Sequence, residues 1–192
     1  MKILLMLSRA IDALNEQIGR LVYWLVLAAV LVSSANAMSR YLLNSTSNGW
    51  LETQWYLFAA IFLLCSGYTL LHNEHIRIDV IAGRFSRRTQ IWIDIFGTIF
   101  FMLPMTAFIM ALGWPMFMES YTVHEMSADP GGLLRWPVKL LVPVGFFLLT
   151  LQGISELIKR IAFLMGLIPD PLEKHVEAAL EMVKDEVEEG QK

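Results

Sequence analysis

Four long runs without a charged side chain constrain this sequence more than anything else in it. Leu21–Ser39 and Thr53–Leu71 hold 19 residues each, the first closed by Arg20 and Arg40, the second by Glu52 and His72. Ile95–Met118 holds 24, between Asp94 and Glu119. At 1.5 Å per residue these reach about 28 and 36 Å, enough for a hydrocarbon core of roughly 30 Å. The fourth run, Leu140–Ser155, has 16 residues and becomes 19 when it starts at Pro137. That start places Lys139 in the first helical turn, where its stem can lift the ammonium to the headgroups. Pro137 suits a first turn because its missing N–H would find no partner there.

Composition agrees. The chain has 192 residues, of which 56% are hydrophobic and 17% charged, with a mean hydropathy of +0.52. A soluble domain of this length needs a more polar exterior. One cysteine, Cys65, excludes a disulfide-stapled scaffold. The expected fold is therefore an all-α integral membrane protein with four transmembrane helices, over about 21–39, 53–71, 95–118 and 137–155. Net charge is −3, but residues 170–192, with eight acids and three lysines, account for the negative balance. No stretch reads as a nucleic-acid surface, so no nucleic-acid partner is expected.

Arginine and lysine set the direction. Residues 1–20, the 72–94 connection and the region after Ser155 carry 12 of the 15, leaving Arg40, Arg135 and Lys139 on the other side. Translocated connections are poor in Lys and Arg, so both termini are expected in the cytoplasm. Trp24, Trp50, Trp55, Trp92, Trp114 and Trp136 stand near the span ends, where aromatic belts form. Ala35-Asn36-Ala37 has the look of a signal-peptidase site, but the long charged region before it favours an uncleaved span.

Outside the spans, Leu4, Leu7, Ile11, Leu14 and Ile18 recur at helical spacing in residues 1–20, with Ser8, Arg9, Asp12, Asn15 and Glu16 opposite. This predicts an amphipathic helix in the cytoplasmic interface that turns at Gly19 into the first span; the alternative is a plain extension of that span. In the tail 156–192, Asp170, Pro171 and Glu173 start a second amphipathic, acidic helix over 171–189. Between spans two and three, Asp79 is placed to cap a short helix over Val80–Phe85. His75, Arg77, Asp79, Arg84, Arg87 and Arg88 are candidates for holding this connection against membrane lipids. Asp129-Pro130-Gly131-Gly132 reads as a tight turn.

Chemistry is sparse. No Asp, Glu, Lys, Arg or His lies inside the runs, where a carrier would keep its ion or proton site. Glu52 and Asn36 stand toward the outer ends and Gln152 toward an inner end. All four histidines lie outside the spans, so no haem ligation is expected, and His72 with His75 lacks a third metal ligand. Neither a nucleophile–base pair nor a phosphate loop is present, and no cofactor, metal or enzymatic activity is expected. Small residues do line two helix faces: Ala29, Ser33 and Ala37 in the first span, and Ala59, Leu63 and Gly67 in the second, above Trp55 and Glu52. Such faces bring helices close in lipid, either within this chain or against another subunit. The long third span, with Pro104 and Pro115, is expected to tilt or kink.

The His75-Ile76-Arg77-Ile78-Asp79-Val80 run and the stretch from Asp129 through Trp136-Pro137 to Lys139, with Pro143-Val144-Gly145-Phe146 beyond, carry a resemblance. Over roughly residues 10–165 the chain resembles the small membrane (Q-type) subunit of tripartite ATP-independent periplasmic (TRAP) transporters. The resemblance implies a non-catalytic scaffold in the bacterial inner membrane. There a large TRAP membrane subunit holds the substrate and sodium sites, and a periplasmic substrate-binding protein delivers an organic acid. On that reading Glu52, Trp55, Ala59, Leu63, Gly67, Ala29, Ser33 and Ala37 are candidates for the subunit interface. Glu119, Glu125, Asp129 and Arg135 are candidates for meeting the binding protein. The competing expectation is a self-sufficient homo-oligomeric transporter using Glu52 and Asn36.

Overall fold

A computed structural model describes residues 1–44, 47–72 and 85–169. Its helices are α1 (Lys2–Leu42), α2 (Asn48–Leu71), α3 (Arg87–Gly97), α4 (Leu103–Thr122) and α5 (Trp136–Leu164), with a π-helical turn, Thr98–Met102, joining α3 to α4. Four continuous helical stretches are long and apolar enough to cross a bilayer: Lys2–Leu42, Asn48–Leu71, Arg87–Thr122 and Trp136–Leu164. No strand occurs among the described residues; Met126 and Leu134 form one isolated antiparallel bridge.

Helix α5 is the centre of the bundle, and each neighbour meets it through a different device. Against α2, Gly145 lets the backbones close: a Cβ there would stand 2.7 Å from the Leu63 carbonyl oxygen. Against α4, Gly113 faces Val142 and Pro143, and Thr150 Oγ1 meets Thr106 Oγ1 at 2.9 Å. Further in, the Met102 side chain fills the space over Gly153. In lipid the hydrophobic effect does not drive helices together, so close contact of this kind has to hold them.

The third stretch departs from a regular helix at the π turn rather than at a sharp proline kink. Pro104 has no N–H for the Phe100 carbonyl, and its ring crowds that carbonyl. The ladder shifts one residue, and the Leu103 N–H bonds to the Thr98 carbonyl instead. Thr98, Met102 and Thr106, each four apart, all lie on the face that meets α5, against Arg160, Gly153 and Thr150.

Helix α1 corrects one expectation. It runs 41 residues, about 61 Å, straight through Gly19 with no turn there. Gly19 is a seat: the Tyr68 ring of α2 lies against it and leaves no room for a Cβ. The orientation of the N-terminal half also matters. Ser8, Ile11 and Asn15 are buried, whereas Leu4, Leu7 and Leu14 are exposed, so the polar side faces the bundle and the apolar side faces out. Each of the other helical stretches also extends past the span expected for it: α2 begins at Asn48, the third stretch runs from Arg87 to Thr122, and α5 continues to Leu164. The proposed helix over 171–189 and most of that over 80–85 lie outside the described residues.

Candidate functional site

Polar structure gathers at the two ends of the bundle. At the end holding the α4–α5 connection, α2 presents Asn48, Glu52 and Tyr56, spaced by four along one face. Asn48 Nδ2 donates to the Pro130 carbonyl at 3.0 Å. The Glu52 carboxylate accepts the Leu133 N–H at 2.6 Å and the Ser127 hydroxyl. Tyr56 donates its hydroxyl to the Leu134 carbonyl at 3.0 Å. Three consecutive helical turns thus hold the main chain of one connection.

That connection is also closed on itself. The Ser127 N–H bonds to the Leu133 carbonyl at 3.0 Å and the Arg135 N–H to the Glu125 carbonyl at 2.9 Å. At its tip the Gly132 N–H meets the Asp129 carbonyl at 3.0 Å. Pro130 and Gly131 are the central residues, and Gly131 has φ +73°, the left-handed position that a type II turn requires. Glu125 pairs with Lys139 at the start of α5. That lysine's hydrogen bond, the largest influence, holds the Glu125 carboxyl below the usual carboxylate range. Rings from α4 and α5 pack beside it: Phe117, Tyr121 and Trp136, with Tyr121 edge-on to Trp136 at 5.5 Å between centroids.

At the other end α5 clasps α1. Asp12 Oδ1 accepts from Ser155 Oγ at 2.7 Å and Gln152 Nε2 at 2.9 Å. Lys159 lies between Asp12 (3.2 Å) and Glu156 (2.5 Å). Gln152 in turn accepts from Asn15 Nδ2 at 2.9 Å, and Ser8 meets Ser155 at 2.7 Å. Asn15, Gln152 and Ser155 are all fully buried. Arg160, next along α5, reaches the opposite way, to Asp94 at 3.4 Å and to Thr98 Oγ1. His72, the cap of α2, meets Glu16 of α1 at 2.8 Å and stacks on Tyr68.

The residues singled out from the sequence divide accordingly. Glu52, Gly67 and Ala29 are buried inside this chain, Glu52 by the connection and Gly67 under the Asn15 amide. Leu63 backs onto Gly145. Ser33 is half-buried and returns its hydroxyl to the Ala29 carbonyl; Ala59 is half-buried and Ala37 exposed. Trp55 points outward at 69% exposure, beside Phe58 and Phe62. Glu119, Asp129 and Arg135 are exposed around the connection, and Glu125 is tied to Lys139. Arg87 opens α3 and donates to Gln90, and Arg88 is exposed. His75, Arg77, Asp79 and Arg84 lie outside the described residues. Among the described residues no group of three or more His, Cys, Asp or Glu is placed to hold a metal.

Two sets of residues make contacts that the sequence reading did not expect. Asn48 and Tyr56 announce themselves by polar spacing of four at the edge of a span, and that signal points to a buried polar face. Ser8, Asp12 and Asn15 stand at spacings of four and three on the polar side of residues 1–20, and that spacing does not say that the side faces α5.

A bundle that keeps its charges at the ends and returns many of its threonine and serine hydroxyls to carbonyls of its own helices is a polytopic membrane component. The comparisons make the class specific. The family model for tripartite ATP-independent periplasmic transporters, DctQ component, matches residues 29–163. The chain belongs to that family and is a component of a TRAP transporter. Neither a curated protein nor a solved structure matches it.

Proposed function

We propose that this chain is the non-catalytic scaffold subunit of a sodium-driven, binding-protein-dependent importer of organic acids. It packs in the bacterial inner membrane against the stationary part of the large membrane subunit, with both termini in the cytoplasm. The observation that carries this reading is the way four threonines of the spanning helices satisfy their hydroxyls. Thr53, Thr69, Thr98 and Thr150 each return a hydroxyl to a carbonyl of their own helix, four residues back. This arrangement suits a rigid support, because a carrier keeps polar groups free to coordinate its cargo. The outward row Trp55, Phe58 and Phe62, with Ala37 and Ser33 on α1, is the side offered to the large subunit. Lipid covers the remaining apolar faces, and the binding protein meets the connection bearing Glu119, Glu125, Asp129 and Arg135.

Reconstitution tests the whole reading. Vesicles holding this chain with a large TRAP membrane subunit, supplied with the binding protein and a sodium gradient, are expected to accumulate an organic acid. Vesicles holding this chain by itself are expected to accumulate none. Solute uptake by the isolated chain, or failure to co-purify with the large subunit in mild detergent, overturns it.

A further inference from the structure

The α2 comb has no transport chemistry to perform, yet it commits three side chains to the main chain of another segment. We infer that Asn48, Glu52 and Tyr56 are positioning residues that set the 127–134 connection as a preformed docking platform for the soluble binding protein. The inference rests on the proposed function for the identity of the partner.

The physical argument runs from cost to consequence. A connection of this length usually surrenders its conformational freedom only on contact, and that ordering weakens binding. Here the freedom is already gone. Pro130, Leu133 and Leu134 are each held through their backbone atoms. Main-chain contacts leave the side chains of the tip unused, and Ala128, Asp129, Pro130 and Gly131 are exposed. The acceptor at the centre is an ionised carboxylate, whose hydrogen bonds are about twice as strong as neutral ones. It is also enclosed: Gly132 sits so close to Glu52 Oε1 that a Cβ there would lie 2.8 Å away. Both the α2 side chain and the loop glycine are needed for this fit.

The partner is a folded, soluble protein surface rather than lipid. The tip, Ala128 to Gly131, bears one carboxylate, Asp129, and no large apolar side chain, while the exposed Met126 and Leu134 stand at its base. Exposed Glu119 and Arg135 at its margins supply charges of both signs, as protein interface rims do.

The test uses the complete three-part transporter in vesicles, with uptake followed against binding-protein concentration. Glu52→Ala is expected to raise the half-saturating concentration about tenfold, with the saturated rate kept. Glu52→Gln retains an acceptor for the Leu133 N–H and is expected to restore most of the affinity. An unchanged half-saturating concentration in Glu52→Ala overturns the inference. So does loss of uptake at every concentration in Glu52→Gln, because that result assigns the charge to a transport pathway. Should Glu52→Ala fail to assemble, Tyr56→Phe removes only the Leu134 tooth and is expected to shift the same concentration without changing the saturated rate; no shift overturns the inference. Amide exchange at Leu133 in the isolated chain checks the comb separately from its partner. It is expected to quicken roughly tenfold to a hundredfold in Glu52→Ala, and unchanged exchange overturns the comb itself. Quickened exchange in a chain whose wild-type complex needs no binding protein would instead sink the proposed function.

Discussion

Gly145 shows how little tolerance the bundle has at single positions. Its missing side chain is what lets α5 lie on the α2 backbone at Leu63, so even one methyl must push the helices apart. Gly145→Ala is expected to destabilise the bundle by about 1–3 kcal/mol, the usual cost of overpacking, read as a lower unfolding midpoint in detergent. Gly97, with open space where a Cβ would go, is the matched control, and Gly97→Ala is expected to leave that midpoint in place. Glu125 gives a second prediction at this scale. Its carboxyl is held below its ordinary value by Lys139, so the pair's contribution is complete above the unfolded carboxylate pKa of about 4.3. It is lost as pH falls through the lowered folded value, where both states become protonated. Protease sensitivity of the 123–135 connection is therefore expected to rise on acidification below about pH 4. In Glu125→Gln it should already be raised at neutral pH and depend less on acid.

Elements are joined by α5. Successive residues Lys159 and Arg160 reach in different directions, the first to α1 and the second to α3. Replacing Lys159 with Met leaves Asp12 and Glu156 to share a half-buried space without their cation. The expected loss is about 1–3 kcal/mol, and the N-terminal half of α1 should become accessible to cysteine labelling at Asn15. If Asn15→Cys in that background stays as protected as in the parent, the clasp does not hold α1. Much of this level was readable in advance: the spans were marked by charge-free runs, and the tip turn by Asp-Pro-Gly-Gly. The orientation of residues 1–20 was not. Leu4, Leu7 and Leu14 have the spacing of a buried stripe, but in a bilayer the outside is apolar too, so hydrophobic periodicity marks a face without saying which way it points. The polar line of Ser8, Asp12 and Asn15 turns inward because α5 carries matching donors and acceptors 137 or more residues later.

For the whole molecule, the distribution of exposed apolar surface matters most. Outside α5, each spanning stretch buries only a small part of itself within this chain, and the remainder faces lipid or a second subunit. Disulfide trapping distinguishes them. Cysteines at Trp55 or Phe62 are expected to cross-link to the large subunit in intact membranes, while cysteines on the lipid side of the third stretch, at Phe100 or Phe108, are expected to react only with lipid-soluble reagents. The opposite pattern would move the interface to α4. The family match begins at residue 29, so the clasped N-terminal half of α1 lies outside it.

From its order of residues this protein could be read as an all-helical, four-span membrane component with no reactive interior, because span length, missing charge and Lys/Arg placement are properties of the chain itself. Pairing needed the tertiary structure. It decided that Glu52 secures a neighbouring connection, that Gly19 and Gly67 are seats for Tyr68 and Asn15, and that α1 passes unbroken from one end of the bundle to the other. Each of these depends on what stands opposite a residue, and a helical period records the face a side chain occupies without recording the partner that will meet it.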